Sequence, residues 1–162
     1  MKILIISDTH TDSTAKLPAE IMKAAGECDA VIHAGDIVSF KLISELMSVC
    51  SLVYPVKGNM DPYYNDERLP ETRLLTFEGV KIGVAHGTGS PAGIENRLLY
   101  TFPEADIIVF GHTHKPFWGE IGGVYFLNPG SPTNKRTEPF HTYAVLTIEN
   151  GTFDAEIIRI IQ

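Results

Sequence analysis

The stretch KILIISDTH, residues 2–10, decides the fold. Residues 2–6 form a short run dominated by Ile and Leu, which reads as a strand buried on both faces. The polar SDTH that follows reads as the turn where that strand ends. A strand of this kind needs neighbours on each side and helices over its faces, and the next segments supply them. Residues 15–26 carry Ala, Leu, Ile and Met at helical spacing, with Gly26 placed to stop the helix. DAVIHAGDI (29–37) is a second buried strand, 39–49 a second amphipathic helix, and SLVYPVKGN (51–59) a third strand. The order β-α-β-α-β predicts a parallel sheet.

Beyond a loop at 60–70 the texture changes. Residues 72–87 read as a hairpin around Glu78-Gly79, 90–102 carry a short helix, and 105–114 form a buried strand ending in a polar turn. The last third is rich in hairpins, with Asn150-Gly151 as the strongest turn signal. The sum is an α/β protein with two sheets packed face to face and helices outside. Residues 1–162 are expected to form a single domain.

Bulk composition limits the function. With 44% hydrophobic and 20% charged residues the chain reads as an ordinary globular protein. Its net charge is −7, and NKR at 134–136 is the densest cationic point, which argues against broad nucleic-acid binding. Cys28 and Cys50 are too few for a disulfide framework and read as reduced thiols. No run of residues suits a signal peptide or a membrane span, so the cytoplasm is the expected compartment and no membrane partner is expected.

The chemistry lies in what ends each apolar strand. The first ends in Asp8 and His10, the second in Gly35-Asp36, and the third in Gly58-Asn59. The central hairpin delivers His86-Gly87, and GHTH delivers His112 and His114. In open α/β sheets ligands gather at the carboxyl ends of strands. Seven nitrogen and oxygen donors without a thiolate suit Mn, Fe, Ni or Zn, and they exceed what one tetrahedral ion needs, which implies two ions. On an extended segment His112 and His114 would point the same way ~7 Å apart. They would then bracket ions ~3.5–4 Å apart, with Asp36 suited to bridge.

D-x-H, GD, GN, HG and GHTH, in that order, resemble the calcineurin-like metallophosphoesterase superfamily over residues 3 to about 131. The short chain is similar to the compact bacterial and archaeal YfcE-like phosphodiesterase branch, which is kin to a retromer scaffold subunit. The resemblance implies a four-layer αββα sandwich. It also implies that Asp8, His10, Asp36 and His114 hold one metal and Asp36, Asn59, His86 and His112 the other. Manganese is the expected ion, with nickel, iron, zinc or magnesium as alternatives. Hydroxide bridging the two ions would attack a small phosphodiester or nucleotide-like substrate in line, with Asn59, Asp36 and His86 as the catalytic side chains.

One position departs from the family pattern. Where the family commonly reads Gly-Asn-His and then an acid, this chain reads Gly58-Asn59-Met60-Asp61. A thioether donates no proton, so the general-acid role is empty and Asp61 is expected to lack its usual partner.

Other polar residues read more plainly. His33 suits packing or support of a ligand, and His141 suits a surface or loop anchor. The 128–136 loop offers Asn128 and Ser131 as ligand contacts only if it lies near the site. Asp12 matches neither the DxDxT phosphatase pattern nor an EF-hand, and no Gly-rich phosphate loop occurs. The rival function is an interaction scaffold on the same fold. Trp118, Tyr125 and Phe126 suit core or a homo-oligomer surface equally.

Overall fold

The computed structural model describes residues 1–63 and 65–161. Ten strands form two five-stranded sheets. The first has the order β10-β9-β1-β2-β3, built from β1 (Lys2–Ile6), β2 (Ala30–His33), β3 (Val53–Pro55), β9 (His141–Glu149) and β10 (Thr152–Ile160). The second has the order β4-β5-β6-β8-β7, from β4 (Thr72–Phe77), β5 (Val80–Ala85), β6 (Ile107–Val109), β7 (Phe117–Ile121) and β8 (Val124–Asn128). Strands β1, β2 and β3 run parallel, as do β5, β6 and β8, so each sheet gathers strand carboxyl ends along one rim.

The apolar run of β1 is explained by its two coverings. Ile3 and Ile5 face the second sheet and meet Ile82, Val84, Ile107 and Val109. Leu4 and Ile6 face outward and lie under α1 (Ala19–Glu27) and α2 (Phe40–Met47), against Ile21, Leu42 and Leu46. The outer face of the second sheet is covered by α3 (Ile94–Thr101), which packs Ile94 and Leu98 on Ile108 and Phe126. The result is the four-layer αββα sandwich. Each fully buried Leu or Ile contributes roughly 1.5–3 kcal/mol. Edge strand β4 alternates exposed and half-buried residues, and β10 largely does so, as strands with one covered face should.

Three sequence expectations shift. The helix expected over 15–26 is split into one 3₁₀ turn at Thr14–Lys16 and α1, because Pro18 caps α1 and holds Leu17 extended. Gly26 lies inside α1 and does not stop it. The strands expected at 29–37, 51–59 and 105–114 end early, at His33, Pro55 and Val109, and the polar residues beyond them are loops.

Among the aromatics in question, Phe126 is core, while Trp118, Tyr125 and Phe153 stack on one another beside the inter-sheet core. Cys28 and Cys50 are free thiols, and burial pushes Cys28 up to about 11. No helix among the described residues is long and apolar enough to cross a membrane.

Candidate metal centre

Loops at the carboxyl ends of β1, β2, β3, β5 and β6 carry the polar residues singled out in the sequence. The backbone stitches these loops together before any side chain contributes. Asp8 N–H donates to Gly35 O at 3.0 Å, His10 N–H to Asp36 O at 3.1 Å, and Gly111 N–H to His86 O at 3.0 Å. The last of these holds the β5 and β6 loops together. His86 Nδ1, bonded to Ala34 O at 2.7 Å, then joins the two sheets.

The segments are not extended, as a 7 Å spacing would require. Asp8, His10, Asp36, His112 and His114 all have positive φ, between 47° and 69°. This left-handed backbone costs of order 1–3 kcal/mol per residue and persists only where surroundings enforce it. Its effect is to fold each loop back, so that residues two apart reach different partners. His114 lies by His10, with ring centroids 5.3 Å apart, and His112 by His86 at 5.4 Å.

Five of the seven side chains converge on one point. Asp8 Oδ1 is 3.3 Å from His114 Nε2, 3.6 Å from His86 Nε2 and 3.8 Å from His10 Nε2. Asp36 Oδ2 lies 3.3 Å from His86 Nε2 and 3.5 Å from His10 Nε2. Two overlapping groups have the spacing of metal ligands: Asp8, His10 and His114, and Asp8, Asp36 and His86. Asn59 and His112 sit beside these, with His112 Nδ1 3.3 Å from Asn59 Oδ1.

These residues fit a cation. Among the described residues, five buried side-chain atoms lack a hydrogen-bond partner, and four are Asp8 Oδ1 and Nε2 of His10, His86 and His114. Each such atom costs about 1–3 kcal/mol if left unsatisfied. The tautomers agree. His86 Nδ1 donates to Ala34 O and His114 Nδ1 to Asn134 O, which leaves each Nε2 with its lone pair facing the cluster. His112 is reversed, since Nε2 donates to Gly89 O at 2.9 Å and Nδ1 faces Asn59.

Electrostatics point the same way. Burial opposes ionisation of Asp8, yet the imidazoles of His10, His114 and His86 around it hold it well below the usual carboxylate range. Burial also works against Asp36, but His86 and the Met60 N–H leave it lowered. Burial opposes charge on His86 in turn, while Asp36 and Asp8 raise it above its ordinary value. A proton and a metal ion would compete for that same lone pair.

The shell around the candidate ligands was largely hidden from sequence reasoning. Ser7 Oγ donates to Asp8 Oδ2 at 2.7 Å, and the Met60 N–H to Asp36 Oδ1 at 2.9 Å. Asp61, without a His beside it, accepts instead from the N–H groups of Asp36, Val38 and Gly58 at 2.7–3.0 Å, and burial raises its pKa. Asn128 and Ser131 are buried and bonded within the protein. Asn128 Nδ2 holds Gly111 O and Thr113 Oγ1, and Ser131 Oγ donates to Asp8 O.

The glycine in GN and the one in GHTH mark close approach. A Cβ on Gly58 would lie 2.1 Å from Asp36 Oδ1, and one on Gly111 would lie 2.0 Å from Ser7 Oγ. Asp12 pairs with Lys16 on the surface, and His141 opens β9 opposite Ile160, both outside the cluster.

Comparison with known proteins agrees with this geometry. Residues 1–151 match the calcineurin-like phosphoesterase superfamily domain. A probable metallophosphoesterase of Methanothermobacter thermautotrophicus is 40% identical over 98% of this chain and 92% of its own length. Vacuolar protein sorting-associated protein 29 of Schizosaccharomyces pombe is 32% identical over 82% of this chain and 73% of its own. The crystal structure of Vps29 from Entamoeba histolytica in complex with zinc superposes with a TM-score of 0.77 at 26% identity, covering 98% of this chain and 99% of the other.

Proposed function

Because this chain belongs to the calcineurin-like phosphoesterase superfamily, we propose that it is a metal-dependent phosphodiesterase acting on a small phosphodiester. The observation that carries the reading is the convergence of four buried, unpartnered ligand atoms from Asp8, His10, His86 and His114. Asp8, His10, Asp36 and His114 would hold one divalent ion, and Asp36, Asn59, His86 and His112 a second, with manganese as the expected metal. Bound there, the ions would supply an acidified water for in-line attack on phosphorus and positive charge against the phosphate oxygens.

The side chains have distinct tasks. Asp36 presents Oδ2 to His10 and His86 together, and Asp8 presents Oδ1 to His10, His86 and His114, so both carboxylates are able to span the two halves of the site. His86 is held rigid through Nδ1. Asn59 is exposed at the rim, where its carboxamide can meet a phosphate oxygen. Met60, 59% exposed, brings no proton, so the departing alkoxide must take one from water. Reaction rate should then depend steeply on the acidity of the leaving group.

The test is a metal-by-substrate screen on chelated, then reconstituted protein, alongside Asp36→Ala. Hydrolysis of aryl diesters should return with metal. Asp36→Ala should lose both ions by elemental analysis and activity by more than ~100-fold, since even supporting residues are worth 10–100-fold. Full metal content and turnover in that variant would refute the bridging role. The sorting-associated relatives support a second reading, an interaction scaffold. Metal binding without turnover of any ester would favour it.

A further inference from the structure

Each sheet has two outer strands, β10 and β3 in the first and β4 and β7 in the second. An outer strand leaves a row of backbone N–H and C=O groups unpaired, and proteins blunt such edges with charge, proline or shortness. Three of these edges carry that protection. β3 is three residues long and ends in Pro55, β7 carries Glu120 beside Gly119, and β10 carries Asp154, Glu156 and Arg159. β4 lacks it. Its six residues, TRLLTF, include one charged side chain, Arg73, whose Nε donates to Pro55 O of the other sheet at 2.7 Å.

The hairpin decides which backbone groups β4 leaves free. Glu78 and Gly79 form a two-residue turn with φ of 50° and 83°, so Phe77 and Val80, which flank it, make a hydrogen-bonded pair. Bonded and non-bonded pairs alternate from there, so Phe77, Leu75 and Arg73 direct their N–H and C=O groups to β5. Those of Thr72, Leu74 and Thr76 point away from the sheet, and among the described residues no strand pairs with them. The side chains of the same three residues face solvent. Leu74 is 45% exposed, while Leu75 and Phe77 pack on the inter-sheet core. The free edge is therefore uncharged and centred on an apolar side chain.

We propose that β4 pairs antiparallel with β4 of a second copy of this chain, across a two-fold axis at Leu74, so that the second sheets of two molecules become one continuous sheet. An axis perpendicular to a sheet must set one residue opposite itself. Centred on Leu74, it also sets Thr72 opposite Thr76, so all three outward residues exchange both bonds with a partner, about six bonds in all. Centred on Arg73, it would oppose two guanidinium groups and bring Pro70, which has no N–H, opposite Thr76. Centred on Leu75, it would set Thr72 opposite Glu78, beyond the end of the strand. In the Leu74 register no like charges stand opposite one another, since Glu71 meets Phe77 and Arg73 meets Leu75. The strand is its own complement, which favours a copy of this chain over a foreign one. Six residues a side bury less than the ~1,200 Å² of a standard interface, so the association should be weak and reversible. It needs neither metal nor turnover and stands apart from the phosphodiesterase reading.

The experiment is sedimentation equilibrium between about 10 μM and 1 mM, where the mean mass of the wild-type protein should rise from monomer towards dimer. Leu74→Lys and Leu74→Glu each bring like charges together at the axis, and each variant should stay monomeric throughout. Position 74 is exposed, so both should fold, which circular dichroism checks. An equal mixture of the two should associate again, because opposite charges then meet at the axis. Amide hydrogen exchange in the wild-type protein locates the contact. Exchange at Thr72, Leu74 and Thr76 should slow severalfold at the highest concentration, with Arg73 and Leu75 unchanged. Association that survives both substitutions, or a mixture of variants that stays monomeric, would overturn the proposal. A wild-type chain that remains monomeric, with fast exchange at these three amides, would leave the edge to a foreign strand and overturn it equally.

Discussion

His33, outside the candidate ligand set, ties together two of the loops that carry it. Its side chain is fully buried between the first two loops. Gly35 N–H donates to Nδ1 at 3.2 Å, which places the ring proton on Nε2, 2.9 Å from Thr9 Oγ1. Burial pushes its pKa from 6.5 down to about 3, against the pull of Asp8 and Asp36. The unfolded chain takes up this proton near 6.5 while the folded one resists it to about 3. Stability from neutral His33 is therefore complete above pH 6.5 and declines as pH falls towards 3, by up to about 1.4 kcal/mol per pH unit. Urea unfolding between pH 7.5 and 4.5 should show a steeper acid loss for wild type than for His33→Asn, even though the variant starts less stable. Parallel pH profiles would contradict this account.

At the scale of elements, the turn at 58–61 is the least conventional part of the site and the most amenable to change. Its backbone does the structural work, because Met60 N–H braces Asp36 and Asp61 gathers three N–H groups from two loops. The Met60 side chain is exposed and free to be exchanged. Met60→His should keep the fold and metal content and raise hydrolysis of alkyl diesters by about 10–100-fold, while nitrophenyl esters gain little. The slope of log kcat against leaving-group pKa would show this, and an unaltered slope would mean that position 60 does not face the departing oxygen.

Such elements also mark where sequence reading stops. The parallel β1-β2-β3 core and the hairpins at Glu78-Gly79 and Asn150-Gly151 were legible because apolar runs and turn residues act locally. The clustering of Asp8, His10, Asp36, His86 and His114 was legible too, since each lies in the turn that ends a strand. The left-handed backbone at Asp8, His10, Asp36, His112 and His114 was not, because none of these residues is glycine and only tertiary bonds enforce the conformation. Ser7, Asn128 and Ser131 were equally hidden as supports. Serine and asparagine are common in loops, and their targets here include atoms 17 and 123 residues away.

The whole molecule behaves as two sheets whose rims are pinned at one charged cluster. Without a cation, that cluster holds two buried carboxylates facing three imidazoles, with four atoms unpartnered. An ion bound only by the folded chain adds about 2.7 kcal/mol at a hundred times its dissociation constant. For a chain of this length that corresponds to roughly 5–10 °C in melting temperature. Differential scanning calorimetry should show this loss on chelation and its recovery with manganese. A melting temperature insensitive to chelator would mean that the cluster is satisfied by protons alone.

The placement of β1 has a consequence for how the chain is made. It is made before the strands that flank it, yet it lies mid-sheet between β2 and β9, and Met1 bonds Ile148 across 147 residues. Ser131, which secures the Asp8 backbone, is also synthesised late. A nascent chain halted before residue 131 therefore has its first strand open along one edge and its first aspartate unsupported. The proposed ion site is complete only after residue 131 has been added.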